Sequence, residues 1–183
     1  MVPKIKTERL LLRKIALEDA AQLLHIRSDK TINRYIVRQV PLDVEEVQEF
    51  VKKLLKGMGE GTFMFWAICW KDKPAEVLGT ICFWNFSQDR TKAETGYELL
   101  PVYHGNGIMS EALEALLQVG LHDLGLEQIE AFTHVENIAS IALLERAGFQ
   151  LEPERRDPKF PHNRVYVKNV FKTGCTTSVS ASP

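Results

Sequence analysis

Apolar positions along the chain switch between a strand-like and a helix-like period, and the switching lays out the elements. "KIKTERLLLRK", residues 4–14, follows Pro3 and reads as a strand. "LEDAAQLLHIRSD" moves to helical spacing through Leu17, Ala20, Ala21, Leu24 and Ile26, with acidic residues in its first turn. Asp43 is the expected N-cap of a second helix, which runs through Val44, Val47, Phe50, Val51 and Leu54 to Gly57. "TFMFWAICW" and "EVLGTICFWNF" read as strands joined by the turn "KDKPAE", and "KAETGYELL" adds another. A glycine turn then leads into a helix expected to reach about Leu124. "EQIEAFTHV" is a strand, "NIASIALLERAG" a short helix ended by Gly148, and "FQLEPERRD" and "NRVYVKNVFK" two closing strands. This order predicts a single α/β (α+β) domain over residues 1–172, with a mixed sheet of about seven strands and about four helices. Residues 173–183, "TGCTTSVSASP", lack apolar periodicity and are expected to be a disordered tail.

Composition narrows the functional classes. The 183 residues are 45% hydrophobic and 26% charged, with net charge −1. That suits one domain with a substantial core and gives no basic surplus for nucleic acid. The start, "MVPKIKTERLLLRKI", fits neither a signal nor a transit peptide, and no apolar run approaches the roughly 18 residues of a membrane span. Three cysteines without CxxC spacing fit a reducing cytoplasm, the expected location. Cys69 and Cys82 sit in apolar strands and read as core. The five histidines lack ligand spacing, so no metal is expected.

The candidate chemistry lies in "YHGNGIMSEAL". Gly105 and Gly107 flank Asn106 where a strand end hands over to a helix. The amides of Gly105, Asn106, Gly107, Ile108 and Met109 would open that helix without acceptors inside it. The helix dipole adds partial positive charge there, and glycine lets an anion approach the backbone. The arrangement fits a pyrophosphate cradle; an ordinary strand–helix turn explains the same residues. It is not a P-loop, since no Gly-Lys-Ser/Thr follows, nor a GxGxxG fingerprint, since Ser110 stands at the third glycine position.

Together, "AETGYELLPVYHGNGIMSEALEALLQVGLHDLGLEQIEAF" and "ENIASIALLERAGFQLE" resemble the GNAT family of N-acetyltransferases. The similarity is to its branch of RimJ/RimL-like ribosomal-protein Nα-acetyltransferases, and "IKTERLLLRKIALEDA" is similar to that branch's start. The family's phosphate motif falls on His104 to Met109, with Gly107 at its first invariant glycine; Asn137, Ser140 and "GF" at Gly148-Phe149 match later positions. His104 stands where Arg or Gln is usual, Met109 where a small residue is usual, and Leu144 where many members carry a general-acid tyrosine.

The resemblance implies a GNAT-like fold whose splayed strands form an acetyl-CoA cleft. Tyr97, Glu98 and Leu99 would pair with the pantetheine arm through their backbone. Amides from Gly105 through Asn106, Gly107, Ile108 and Met109 to Ser110 would hold the pyrophosphate. Asn137, readable also as a plain helix N-cap, would reach the pantetheine. Acetyl-CoA is then the co-substrate and an amine the acceptor, either a protein N-terminus, which is favoured, or a small molecule. A non-catalytic acyl-CoA-binding module is the alternative, and a homodimer through the C-terminal strands is open.

The chemistry of amines sets what the site must supply. At pH 7, deprotonating a lysine costs about 4.6 kcal/mol and an α-amine about 1, so a weak base suffices for an N-terminus. Glu94 and Glu98 share one strand face, and Glu98, placed closer to the thioester by the resemblance, is favoured as base over Glu94. Ser140 is a candidate donor to the departing thiolate; a first-turn helix serine is the plain alternative. Trp84 and Phe86, two apart, read as sheet core or as walls of the acceptor pocket. "RRDPKFPHNR" brings Arg155, Arg156, Lys159 and Arg164 to the acceptor side in this family, or forms a solvated loop.

Overall fold

The computed structural model describes residues 2–169. The expected strand end at residues 170–172, the tail 173–183 and Cys175 lie outside the described residues.

The N-terminal run is two strands rather than one: β1 (Ile5–Lys6) folds back on β2 (Leu10–Lys14). The break is chemical, because Thr7 takes both backbone groups of Leu10, Oγ1 accepting from Leu10 N at 2.8 Å and the Thr7 amide donating to Leu10 O at 3.0 Å. Strand periodicity is blind to such a turn. A single turn of 3₁₀ helix (Leu17–Asp19) precedes α1 (Ala20–Ser28), and the short α2 (Lys30–Asn33) follows. α3 (Val44–Gly59) starts as expected, Asp43 Oδ1 accepting from Glu46 N at 2.9 Å. β3 (Met64–Trp70), β4 (Val77–Trp84) and β5 (Lys92–Leu99) form an antiparallel meander.

The helical run reaches Leu124 as its apolar pattern predicts, but as α4 (Ile108–Gln118) followed by a π turn at Val119–Asp123. β6 (Gln128–His134) and α5 (Ile138–Arg146) match expectation, and Gly148 follows the C-cap with φ +83°. Only Gln150–Leu151 of "FQLEPERRD" forms a strand, β7, before a loop leads to β8 (Asn163–Asn169).

The strands make one sheet in the order β1-β2-β3-β4-β5-β6-β8-β7, antiparallel except between β5 and β6. Eight strands rather than seven follow from the split first strand. One sheet face carries Leu10, Leu12, Trp66, Ile68, Ile81 and Phe83 under α4 and α5. The other carries Ile15, Ala67, Cys69 and Val77 under α1 and α3, where Val47, Val51 and Leu54 follow the i, i+4, i+7 rule. Two covered faces leave the chemistry to the place where the sheet comes apart.

Candidate functional site

That place is the junction of β5 and β6. The two strands pair only from Lys92–Gln128 to Thr95–Ala131. Beyond Thr95, β5 keeps its partner β4 as far as Leu99, while Phe132, Thr133 and His134 of β6 stay paired with β8 alone. The facing edges of Gly96–Leu99 and 132–134 therefore bound a wedge whose main-chain groups are open to an added strand.

Gly79 shows why β5 leans away. It stands opposite Leu99 on β4, and a Cβ there would lie 2.2 Å from the Glu98 carbonyl oxygen. Without a side chain, β4 lets the end of β5 collapse onto it, and Leu100 N completes the contact by donating to Leu78 O at 2.9 Å. The sequence carried a signal for this: a glycine inside the strand "EVLGTICFW" marks close backbone approach.

At the end of the wedge, both glycines of the turn are left-handed, Gly105 at φ +77° and Gly107 at +73°. Turn geometry alone therefore favours glycine at both positions. A Cβ on Gly105 would meet nothing within 4 Å, so the turn is open to a bulky anion as well. The first bond of α4 runs from Glu111 N to Gly107 O at 3.0 Å, leaving the amides of Ile108, Met109 and Ser110 without acceptors inside the helix. Side chains there point differently: Ile108 and Met109 are buried, while Asn106 and Ser110 are exposed. His104 Nε2 lies 2.9 Å from Leu99 O, and Asn106 Nδ2 donates to His104 O at 3.1 Å, both bracing the turn.

Arg9 was not legible as a site residue. It comes from the β1–β2 turn, donates through Nη1 to Asn106 O at 3.0 Å, pairs with Glu111 at 2.6 Å, and holds its charge against Gly107. Nothing in its local sequence signals a contact about a hundred residues away.

The two carboxylates of β5 lie on one face, as period two requires, but in opposite situations. Glu98 is held by Arg38 in a bidentate pair, Nη1 to Oε1 at 2.6 Å and Nη2 to Oε2 at 2.8 Å, with both side chains largely buried. Arg38 reaches over from the loop after α2, braced by Asn33 Oδ1 at 2.7 Å. The preference for Glu98 as base therefore does not follow from the geometry: two guanidinium N–H groups already occupy its oxygens. Glu94 has no such cation. Burial pushes its carboxyl up to about 7, with Glu130 and Asp157 adding to the rise against an Asn85 hydrogen bond and the Lys159 charge.

Glu130, the register partner of Glu94 on β6, is itself clamped by Arg155 at 2.7 and 2.8 Å. Trp84 stands opposite Glu94 on β4 and is 39% exposed, enough to meet a ligand. Left-handed Asn85 (φ 50°) ends strand alternation, so Phe86 swings back toward the main core with Arg90 stacked 4.0 Å from its ring. Trp84, Phe86 and Phe63 nevertheless line one open hollow of about 500 Å³.

Across the wedge, Asn137 caps α5 through Oδ1, accepting from Ser140 N at 3.2 Å. Ser140 Oγ lies 2.8 Å from the Tyr97 hydroxyl. Leu144 is fully buried in the core. Burial raises the thiols of Cys69 to about 11 and Cys82 to about 12, so neither is a thiolate nucleophile at neutral pH. Among the described residues no group of His, Cys, Asp and Glu is arranged to hold a metal, and no helix is long and apolar enough to cross a membrane.

A wedge between parallel strands that ends at a glycine-opened helix has the shape and the free amides to suit an extended ligand with an anionic end. Comparison with known proteins identifies the family. The acetyltransferase (GNAT) domain model matches residues 9–150. The uncharacterized N-acetyltransferase p20 of Bacillus licheniformis is 36% identical over 169 residues, covering 91% of this chain and 94% of that protein. The uncharacterized N-acetyltransferase YoaA of Bacillus subtilis (strain 168) is 31% identical over 171 residues, covering 93% and 96%. In fold, the chain superposes with TM-score 0.79 on RimL, a ribosomal L7/L12 alpha-N-protein acetyltransferase solved in complex with coenzyme A, at 21% identity over 92% of this chain and 98% of that one. With its strand wedge, its open glycine turn and these relatives, the chain belongs to the GNAT family and is an N-acetyltransferase.

Proposed function

We propose that the protein moves the acetyl group of acetyl-CoA directly to a primary amine, with an α-amine as the preferred acceptor. The observation that carries this reading is the wedge ending at left-handed Gly105 and Gly107. Its free strand edges suit the amide-bearing pantetheine arm, and the first amides of α4 suit the pyrophosphate. Bound there, acetyl-CoA supplies the acetyl group and a thiol leaving group. Gly96–Leu99 orient the arm, and a backbone amide near Leu99 polarises the carbonyl.

Glu94 takes the amine proton, directly or through one water. Its carboxyl, pushed up to about 7, is matched to an α-amine near 7.7–8.0 and poorly matched to a lysine near 10.4. Ser140 donates to the sulfur as it leaves, and Trp84 and Phe86 wall the acceptor hollow.

Thermal unfolding with acetyl-CoA, and with ATP and NAD as controls, tests the donor. At about 100 times Kd a native-state ligand adds roughly 2.7 kcal/mol, a rise on the order of 5–10 °C for a domain of this size. No rise at saturating acetyl-CoA would sink the assignment. Thiol release with peptides carrying a free α-amine, against the same peptides blocked at the N-terminus but bearing lysine, tests the acceptor; equal rates would remove the α-amine preference.

A further inference from the structure

Tyr97 stands two residues past Thr95, the last β5 residue paired with β6, so its strand is already one wall of the wedge. Ser140 belongs to the first turn of α5, the helix that follows β6 and forms the other side. Their hydroxyls lie 2.8 Å apart, and this hydrogen bond spans the two sides. Each hydroxyl carries one proton. Either hydroxyl can donate, and the phenol, the stronger acid of the two, is the donor in the arrangement argued below. Tyr97 is largely buried, and that burial pushes its hydroxyl up to about 12, so it keeps its proton at neutral pH. With Tyr97 donating, the proton of Ser140 turns away from the phenol and is free to bond elsewhere. The backbone of Ser140 is anchored in the first turn of α5, its amide donating to Asn137 Oδ1 at 3.2 Å. One turn further along α5, Leu144 is fully buried and offers no hydroxyl.

We propose that Tyr97 is a positioning residue for the acyl transfer: its phenol donates to Ser140 Oγ and so aims the Ser140 O–H at the sulfur that leaves. The inference rests on the role given to Ser140 under Proposed function. In the step, the amine lone pair forms the C–N bond and the C–S bond breaks, its electron pair leaving on sulfur. The amine proton goes to Glu94. The thiolate is held by the Ser140 hydrogen bond until solvent protonates it, and no proton leaves Tyr97.

Tyr97→Phe removes only the hydroxyl and keeps the ring in the core. Steady-state kinetics of Tyr97→Phe, Ser140→Ala and the double variant, with an acetyl-CoA thermal shift for each, test the proposal. Each single variant should lower kcat about tenfold, the order expected for one hydrogen bond to developing charge. KM for acetyl-CoA and the thermal shift should stay within about twofold of the wild type. The double variant should be no slower than Ser140→Ala, because the phenol acts only through the serine. Ser140→Thr, which keeps a hydroxyl, should restore most of kcat and its dependence on Tyr97.

Wild-type kcat in Tyr97→Phe would overturn the proposal. So would effects that multiply in the double variant, or a raised KM at unchanged kcat, which would make Tyr97 a packing wall of the cleft. Absence of any acetyl-CoA shift in the wild type is a different result, and it removes the donor assignment itself.

Discussion

Around the glycine turn the working groups are main-chain amides presented by a helix start, whereas around Glu94 and Glu98 they are side chains brought in from separate loops. The turn needs only two left-handed residues, and the sequence provides glycine at both. His104 and Met109 depart from the family pattern there without touching the amides. The carboxylate face depends instead on which cation arrives. Arg38 crosses from the loop after α2 to lock Glu98, and no cation locks Glu94. Two glutamates on one strand face thus acquire opposite surroundings, one clamped by a guanidinium and the other buried without a cation to pair with. A backbone site tolerates side-chain drift, while a side-chain site is decided by its neighbours.

Glu94→Gln should break the comparison most sharply, lowering kcat by about 10³ with little change in KM for acetyl-CoA. In the wild type, kcat/KM should rise with pH through about 7 as Glu94 loses its proton, in addition to the rise near 7.7–8.0 from the amine itself, and the variant should keep only the latter. The same substitution should raise stability at pH 8. The folded carboxyl binds its proton more tightly than an unfolded one near 4.5, so the stability from neutral Glu94 is full below about 4.5 and lost as pH rises through about 7. Glutamine never carries the buried charge. Melting curves of both proteins at pH 5 and pH 8 check the sign.

Arg38→Ala should destabilise by about 3 kcal/mol, because it strands a largely buried carboxylate. Adding Glu98→Ala should recover part of that loss, as denaturant titration of the single and double variants would show. On the backbone side, Gly107→Val imposes a left-handed conformation on a β-branched residue and should raise KM for acetyl-CoA about 100-fold, near 2.7 kcal/mol. Gly79→Ala should lose about 2 kcal/mol of stability, as the new methyl pushes the Glu98 carbonyl away. By moving the end of β5 toward β6 it should also weaken the acetyl-CoA thermal shift. Ser110→Ala should be nearly silent, within about 0.5 kcal/mol by the same shift, since its contribution is an amide. A large loss there would mean that side chains, not backbone, hold the anion.

Elements with strong period were legible: α3 with its Asp43 cap, the β3–β4 hairpin, and β6 with α5 behind it. The broken first strand was not, because Thr7 makes its turn through one side chain that alternation cannot register. The helical run after the glycine turn ends near Leu124 as its spacing predicts, but the change of hydrogen bonds to π over Val119–Asp123 leaves no trace in that spacing. At the site, the glycine turn and the pairing of Glu94 with Glu98 on one face could be read from spacing. Arg9 beside Gly107, Arg38 on Glu98 and Tyr97 on Ser140 could not, since each contact joins segments 43 to 98 residues apart.

By itself, the sequence determined the order of elements, the glycine-opened helix and the strand that carries the candidate chemistry. These follow from local periods and from backbone preferences confined to a few residues. Only the tertiary structure decided how far β5 and β6 separate, which glutamate is clamped by an arginine, and which hydroxyl meets Ser140. Those depend on burial and on charges from distant segments, and electrostatic character belongs to the environment that folding creates around a residue.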